Sequence, residues 1–170
     1  MKLAVTDACI FIELYDLELN EGFFKLDLEI HTSVDVINEL YAEQQRVLKA
    51  FQSVGKLFVH SISESDRLFM QAQPYPRGLS NADKTVLFIA EKQQAMVLSS
   101  DKMVRNFSKK NSIEYHGMLW IFDRLVEAGI ISPGIAIKKL QSLMSSDIIY
   151  QHSPELQKEM RLRIEKWAIE

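Results

Sequence analysis

Short β-rich runs separated by amphipathic stretches constrain this chain more than any other feature. The runs are Lys2 to Thr6, Leu57 to Ile62 (LFVHSI), Ala95 to Ser99 (AMVLS) and Ile113 to His116, with a weaker one at Leu28 to Ile30. Between them, apolar residues return at three- and four-residue steps over Ala8 to Leu14, Val34 to Val54, Ser63 to Gln73, Ser80 to Gln94 and Lys102 to Asn111. Strand and helix in alternation predict an α/β fold, a parallel sheet covered by helices on both faces. Past Gly117 the strands stop and three helical segments follow. The first, Met118 to Ala128, is closed by Gly129; the others open at Ser132-Pro133 and Ser153-Pro154-Glu155, with Ser as cap and Pro at the first helical position. The expectation is one domain over residues 1–170, with an α/β core at 1–117 and a helical C-terminal extension at 118–170.

Composition narrows the function classes. With 170 residues, 47% hydrophobic and 25% charged, the chain can bury a core and is neither disordered nor fibrous. A net charge of −3 argues against coating nucleic acid by bulk electrostatics and leaves only local basic patches. The single cysteine, Cys9, excludes an internal disulfide and any thiolate-cluster metal site, and fits a reducing compartment. Only a few apolar residues precede Asp7, with Glu13 and Asp16 close behind, so a signal peptide is not expected. No run reaches the ~20 apolar residues of a membrane span. A soluble, cytoplasmic protein is expected.

Asp7 is the residue out of place, interrupting LAVTDACIFIEL where a buried strand turns into a helix. Asp101 ends AMVLSSD in the same way, and in open parallel sheets ligand crevices form at the carboxyl ends of strands. Asp83 falls in the first turn of the helix opened by Ser80 (LSNADKTVLFIA), and Glu39 lies in SVDVINELY on a helix with a broad apolar stripe. Each has a structural reading too. Asp7 and Asp101 can cap the helices that follow them, Ser80 and Asp83 can form a capping box, and Glu39 can sit at a solvated edge. As a set, the four acids suit Mg²⁺ or Mn²⁺, which prefer carboxylate and water oxygens. Without metal, two such charges ~4 Å apart repel by about 4 kcal/mol at an effective dielectric near 20. A bound cation relieves that cost.

The same segments resemble the PIN domain nucleases. VTDACIFIEL is similar to that family's opening strand with its first Asp, SVDVINEL to the helix with its Glu, LSNADKTVLFIAE to the helix with its second Asp, and VLSSDKMVRNFSKK to the strand end with its third. EYHGMLWIFDRLVEAGIISPGIAIKKL resembles the downstream strand, Gly and helices of prokaryotic members, so the likeness covers nearly the whole chain. It implies a PIN-like three-layer α/β/α sandwich and a metal-dependent ribonuclease, placed like the VapC-like toxins of toxin–antitoxin pairs or related solitary proteins. Asp7, Glu39, Asp83 and Asp101 would be the catalytic, metal-binding acids. Ser99 and Ser100 stand where members often carry Thr, Ser or Asp. Two departures bear on a second metal position. Ala8 replaces the hydroxyl residue common after the first Asp, and Lys102 stands where a further acid or Asn is usual, leaving Asn106 as a candidate.

RNA is the substrate this implies, its phosphates positioned by Lys and Arg. Arg77 precedes Asp83 in the loop QPYPRGLS, and Arg105, Asn106, Lys109 and Lys110 follow Asp101; with Ser80 and Ser100 they are the candidate substrate contacts. A solvated helix face is the structural reading of the lysines, and loop packing that of Tyr75, which could otherwise stack on a base. His31, His60, His116 and His152 are scattered without metal-ligand spacing and read as structural or exposed. The family resemblance also implies a homodimer and an antitoxin protein as partners. The rival readings are an inactive PIN-fold interaction module and another doubly wound phosphate enzyme, such as a receiver domain or phosphatase. Against the latter, the chain has no DxDxT at its first strand, no acidic pair before Asp7 and no glycine-rich phosphate loop.

Overall fold

Every strand of this chain pairs with its neighbours in the parallel sense. The structure, a computed structural model, describes all residues from Met1 to Glu170. The first half runs β1 (Lys2–Thr6), α1 (Ala8–Asp16), α2 (Asn20–Phe23), β2 (Leu28–Ser33), α3 (Val34–Asn38), α4 (Ala42–Ser53), β3 (Leu57–His60) and α5 (Glu64–Gln71). It continues with α6 (Asn81–Gln93), β4 (Met96–Leu98), α7 (Lys102–Lys110) and β5 (Tyr115–His116). The tail is helical: α8 (Met118–Glu127), α9 (Pro133–Ser146), α10 (Ile148–His152) and α11 (Pro154–Ile169).

The sheet order is β3-β2-β1-β4-β5. From β1 the chain winds outward through β2 and β3, then returns to lay β4 and β5 on the other side. The switch point therefore lies between β1 and β4, where the crossover connections leave in opposite directions, the place at which open α/β sheets form ligand crevices. Ala4↔Met96, Val5↔Val97 and Thr6↔Leu98 set the register there, and Asp7 N–H donates to the Leu98 carbonyl at 3.2 Å just beyond it. Ala4, Val5, Met96, Val97 and Leu98 are all buried. Fully apolar strands of this kind need helices on both faces. α6 packs across β1, β2 and β4, and its middle, Thr85 to Ala90, is buried residue after residue.

Contacts divide the chain into two compact units. The first is Met1–Ile12 with Asp27–Met118 and holds the sheet; the second is Glu13–Leu26 with Leu119–Glu170 and is all helix. The helical unit thus takes in residues 13–26 as well as the tail expected at 118–170. Inside it, Arg163 grips Asp123 with two hydrogen bonds of 2.9 and 2.8 Å, Tyr150 donates to the buried Glu13, and Lys139 donates to the Leu17 carbonyl at 2.6 Å. Gly129, at φ +67°, turns the chain after α8 as a left-handed helix terminator.

Four expectations change. The three helical segments expected past Gly117 are four, because Asp147 accepts from the Ile149 N–H and starts the separate short α10. The helix anticipated from Val34 to Val54 is two helices, because Tyr41 is extended and re-caps the chain. Gln44 accepts from the Tyr41 N–H at 2.9 Å and Gln45 donates to the Leu40 carbonyl at 2.9 Å, which satisfies the backbone groups freed by the break. The apolar periodicity runs on across it, so the sequence pattern hides the interruption. β2 is longer than the weak run suggested, ending at Ser33, whose hydroxyl accepts from Val36 N–H to start α3. Finally, two of the four histidines are together. His31 Nδ1 lies 2.7 Å from His60 Nε2 across the β2–β3 pair, and His31 Nε2 lies 2.8 Å from Glu29. Their roles are structural as expected, but they are not scattered.

Candidate functional site

Asp7 follows β1 directly and is fully buried. Its Oδ1 accepts from the Ile10 N–H at 3.1 Å, which caps the start of α1, and its Oδ2 accepts from the Ser99 hydroxyl. Burial nonetheless pushes its carboxyl up to about 7, with Asp83 and Asp101 adding like-charge repulsion, despite the Ser99 and Ile10 hydrogen bonds that favour the ionised form. Asp101, after β4, caps α7 by accepting from Met103 N–H at 2.9 Å and Val104 N–H at 3.0 Å. Asp83 sits in the first turn of α6, where Ser80 supplies it with hydrogen bonds from hydroxyl and backbone and caps the helix in turn. Burial and the nearby Asp101 raise Asp83 above its ordinary value.

The structural readings of the three aspartates are therefore realised: each secures a helix start. The same geometry brings them together. α1, α6 and α7 present their N-termini at the carboxyl edge of β1 and β4, and each N-terminus carries partial positive charge that tolerates an anion. Asp7 feels both Asp83 and Asp101, and Asp83 feels Asp101. Glu39 joins through Asp83, whose charge, after partial desolvation and along with Asp35, raises its carboxyl too. Because of the break in the helix, Glu39 is the exposed C-terminal cap of α3 rather than a mid-helix residue.

Ser99, which the family resemblance picks out together with Ser100 but which is not among the candidate substrate contacts, is the one that the fold sets against the acids. Fully buried, it donates to Asp7 and accepts from the Asp101 N–H at 3.0 Å, so one hydroxyl ties the first acid to the last. The signal available was its place as the last residue of the β-rich run, two before Asp101. Nearby, Thr6 Oγ1 is buried without a hydrogen-bond partner.

The candidate substrate residues disperse. Arg77 is exposed in the α5–α6 loop, Ser80 spends its hydroxyl on the α6 cap, and Ser100 is half-buried. Arg105 stacks over the Tyr115 ring at 5.5 Å and lies against Gly117, where a side chain would crowd its guanidinium at 3.1 Å. Asn106, Lys109 and Lys110 are exposed on α7. Tyr75 packs on Phe107, ring centroids 5.3 Å apart.

No three His, Cys, Asp or Glu side chains are arranged as they stand to hold a metal ion. The donor chemistry, however, fits a hard divalent cation. All four groups are carboxylates, and Asp7, Asp83 and Glu39 are raised first by burial and then by the charge of neighbouring acids. The carboxylates are met by hydroxyl and backbone N–H donors, and no cationic side chain acts on Asp7, Asp83 or Glu39. Each bonded oxygen of Asp7 and Asp101 also keeps a second lone pair for coordination.

A family model for the PIN domain (DUF3368) matches residues 3–165. Among solved structures, a PilT N-terminus domain protein of the hyperthermophilic archaeon Sulfolobus solfataricus P2 has a TM-score of 0.51 at 15% identity, over 74% of this chain and 94% of that one. A domain of a functionally unknown protein from Methanocaldococcus jannaschii DSM 2661 is similar over 69% of this chain and 91% of its own, at 21% identity and a TM-score of 0.48. No curated protein matches the chain.

Proposed function

The chain belongs to the PIN domain family, a generally nucleolytic one, and from that premise we propose that it is a metal-dependent endoribonuclease that hydrolyses RNA phosphodiester bonds. The observation that carries the reading is the unneutralised acid cluster of Asp7, Asp83 and Asp101 at the switch point, reached by Glu39. Asp7 and Asp101 would hold Mg²⁺ or Mn²⁺ most directly, and Asp83 would complete the set. When bound, the ion supplies a lowered pKa for the attacking water and charge neutralisation at the phosphate. Ser99 orients Asp7 and steadies the Asp101 backbone, so two ligand carboxylates share one brace. Glu39, exposed and raised above its ordinary value, is the group free to orient water and take its proton.

The test is cleavage of a labelled single-stranded RNA with Mn²⁺. Wild type should cut and lose activity in EDTA, and Asp7→Asn, Asp83→Asn and Asp101→Asn, purified in parallel, should each lose it as well. Cleavage that survives in all three variants marks a contaminant and removes the reading. Helix capping by the same aspartates favours a second reading, an inactive PIN-fold interaction module. It would show neither Mn²⁺ stabilisation nor cleavage. A homodimer, and an antitoxin partner if the enzyme is a toxin, belong to the proposal; light scattering and co-purification with the product of a neighbouring reading frame test them.

A further inference from the structure

One cavity in the sheet unit lies beside the acids without including them. It encloses about 370 Å³, within the ~300–1,000 Å³ usual for small-ligand sites, and its walls come from α5, the loop after it and the first turn of α6. Arg67, Gln73, Tyr75, Arg77, Asn81 and Lys84 are among its polar lining residues. The charges are not equivalent. Arg67 is held by Asp35 through two hydrogen bonds of 3.0 and 2.8 Å and is neutralised in place. Arg77 and Lys84 make no salt bridge and no side-chain hydrogen bond. The cavity therefore offers two uncommitted cations beside an aromatic ring and amide side chains.

We infer that this cavity is a nucleotide subsite of the RNA-binding surface, taking a backbone phosphate on Arg77 and Lys84 and the attached base against Tyr75. The inference rests on the ribonuclease reading above and deepens it. Single-stranded RNA is bound by pairing cations that track the phosphates with aromatic faces that stack on bases, and amides such as Asn81 and Gln73 can bond the base edge. Tyr75 suits this because its ring is braced on Phe107 and pre-ordered. Its hydroxyl, pushed up to about 12 by burial and then by Glu91, stays protonated and does not repel the phosphate. Position supports the same assignment. Asn81 and Lys84, three apart, share a face of α6, whereas Asp83 projects from the same turn in another direction. Lys84 directly follows Asp83 in α6, so a phosphate on Lys84 lies beside the helical turn that carries one of the acids.

The experiment is titration in EDTA, which keeps metal out of the acid cluster, with two probes: 5′-AMP followed by NMR, and a fluorescein-labelled single-stranded RNA decamer followed by anisotropy. Wild type should bind both. Arg77→Ala/Lys84→Ala should weaken each roughly tenfold and lower the RNA salt slope by about 0.7, the loss of one neutralised phosphate on a single strand. The single variant Arg77→Glu, at an exposed site with no partner to lose, should act in the same direction with an unchanged thermal melt. Unaltered RNA binding in both variants overturns the inference even if the enzyme cleaves RNA. Binding of AMP but not of the decamer overturns it in favour of a free-nucleotide site. If wild type cleaves nothing with Mn²⁺ yet both probes are lost in the variants, the subsite stands and the nuclease reading falls.

Discussion

Replacing Asp7 by Asn should make the metal-free protein more stable, and more so as pH rises. The carboxyl goes from an ordinary 3.8 to about 7 on folding, so the folded protein holds a proton there that the unfolded chain releases first. Below 3.8 both states are protonated and the group costs nothing. Above 7 both are ionised and the cost is complete, so stability is lost as pH climbs through that window. At about 1.36 kcal/mol per pH unit the full cost is roughly 4 kcal/mol, of which about 2–3 kcal/mol accrues between pH 5 and pH 8. Asn removes the titration while remaining able to accept a hydrogen bond. Whatever its substitution costs in bond quality is the same at both pH values and cancels in the difference. For a chain of this size, 1 kcal/mol shifts Tm by about 2–4 °C. Thermal melts in EDTA should therefore show Tm(Asp7→Asn) minus Tm(wild type) larger at pH 8 than at pH 5 by roughly 5–10 °C. An advantage that does not change with pH would show that Asp7 is ionised in the fold without strain and would remove the reason to expect a cation beside it.

Mn²⁺ at about 100 times its Kd should stabilise wild type by roughly 2.7 kcal/mol, read as a higher Tm at pH 8, and should leave Asp7→Asn unmoved. Ser99→Ala should cost about 1–3 kcal/mol by removing a buried bridge, and should move the pH midpoint of the Asp7-linked stability loss upward, because the Ser99 hydrogen bond is what favours the ionised carboxylate. In the helical unit, Arg163→Ala should lower stability by about 1–2 kcal/mol by urea melts, since it breaks the paired bonds to Asp123. Gly129→Ala should cost about 1 kcal/mol through backbone strain at φ +67° alone, because no atom lies within 4 Å of where its Cβ would stand.

What could be read from the chain, and what could not, follows from the range of the forces involved. The β-rich runs and the Ser-Pro helix starts are local signals, and the sheet, its parallel sense and α9 and α11 follow them. Asp7 and Asp101 stood out because a carboxylate at the end of an apolar strand is locally anomalous. Glu39 was placed mid-helix because the apolar stripe continues past Leu40, whereas the break depends on Gln44 and Gln45 reaching back to backbone groups. The His31–His60 pair, 29 residues apart, needs the strand register to exist at all. The bond that Ser99 makes could not be seen until folding set Asp7 beside it, across 92 residues of sequence. Arg67 and Asp35, whose pairing leaves Arg77 and Lys84 as the free charges of the α5 cavity, are a tertiary fact of the same kind.

The account turns on whether these acids take up one divalent cation. A crystal grown with Mn²⁺ and measured for anomalous scattering answers that directly. The account predicts a peak at the carboxyl ends of β1 and β4, at coordinating distance from Asp7 and Asp101, with Asp83 turned toward it. No peak there, or a peak held by residues elsewhere while Asp7 keeps only its Ser99 and Ile10 hydrogen bonds, would contradict it.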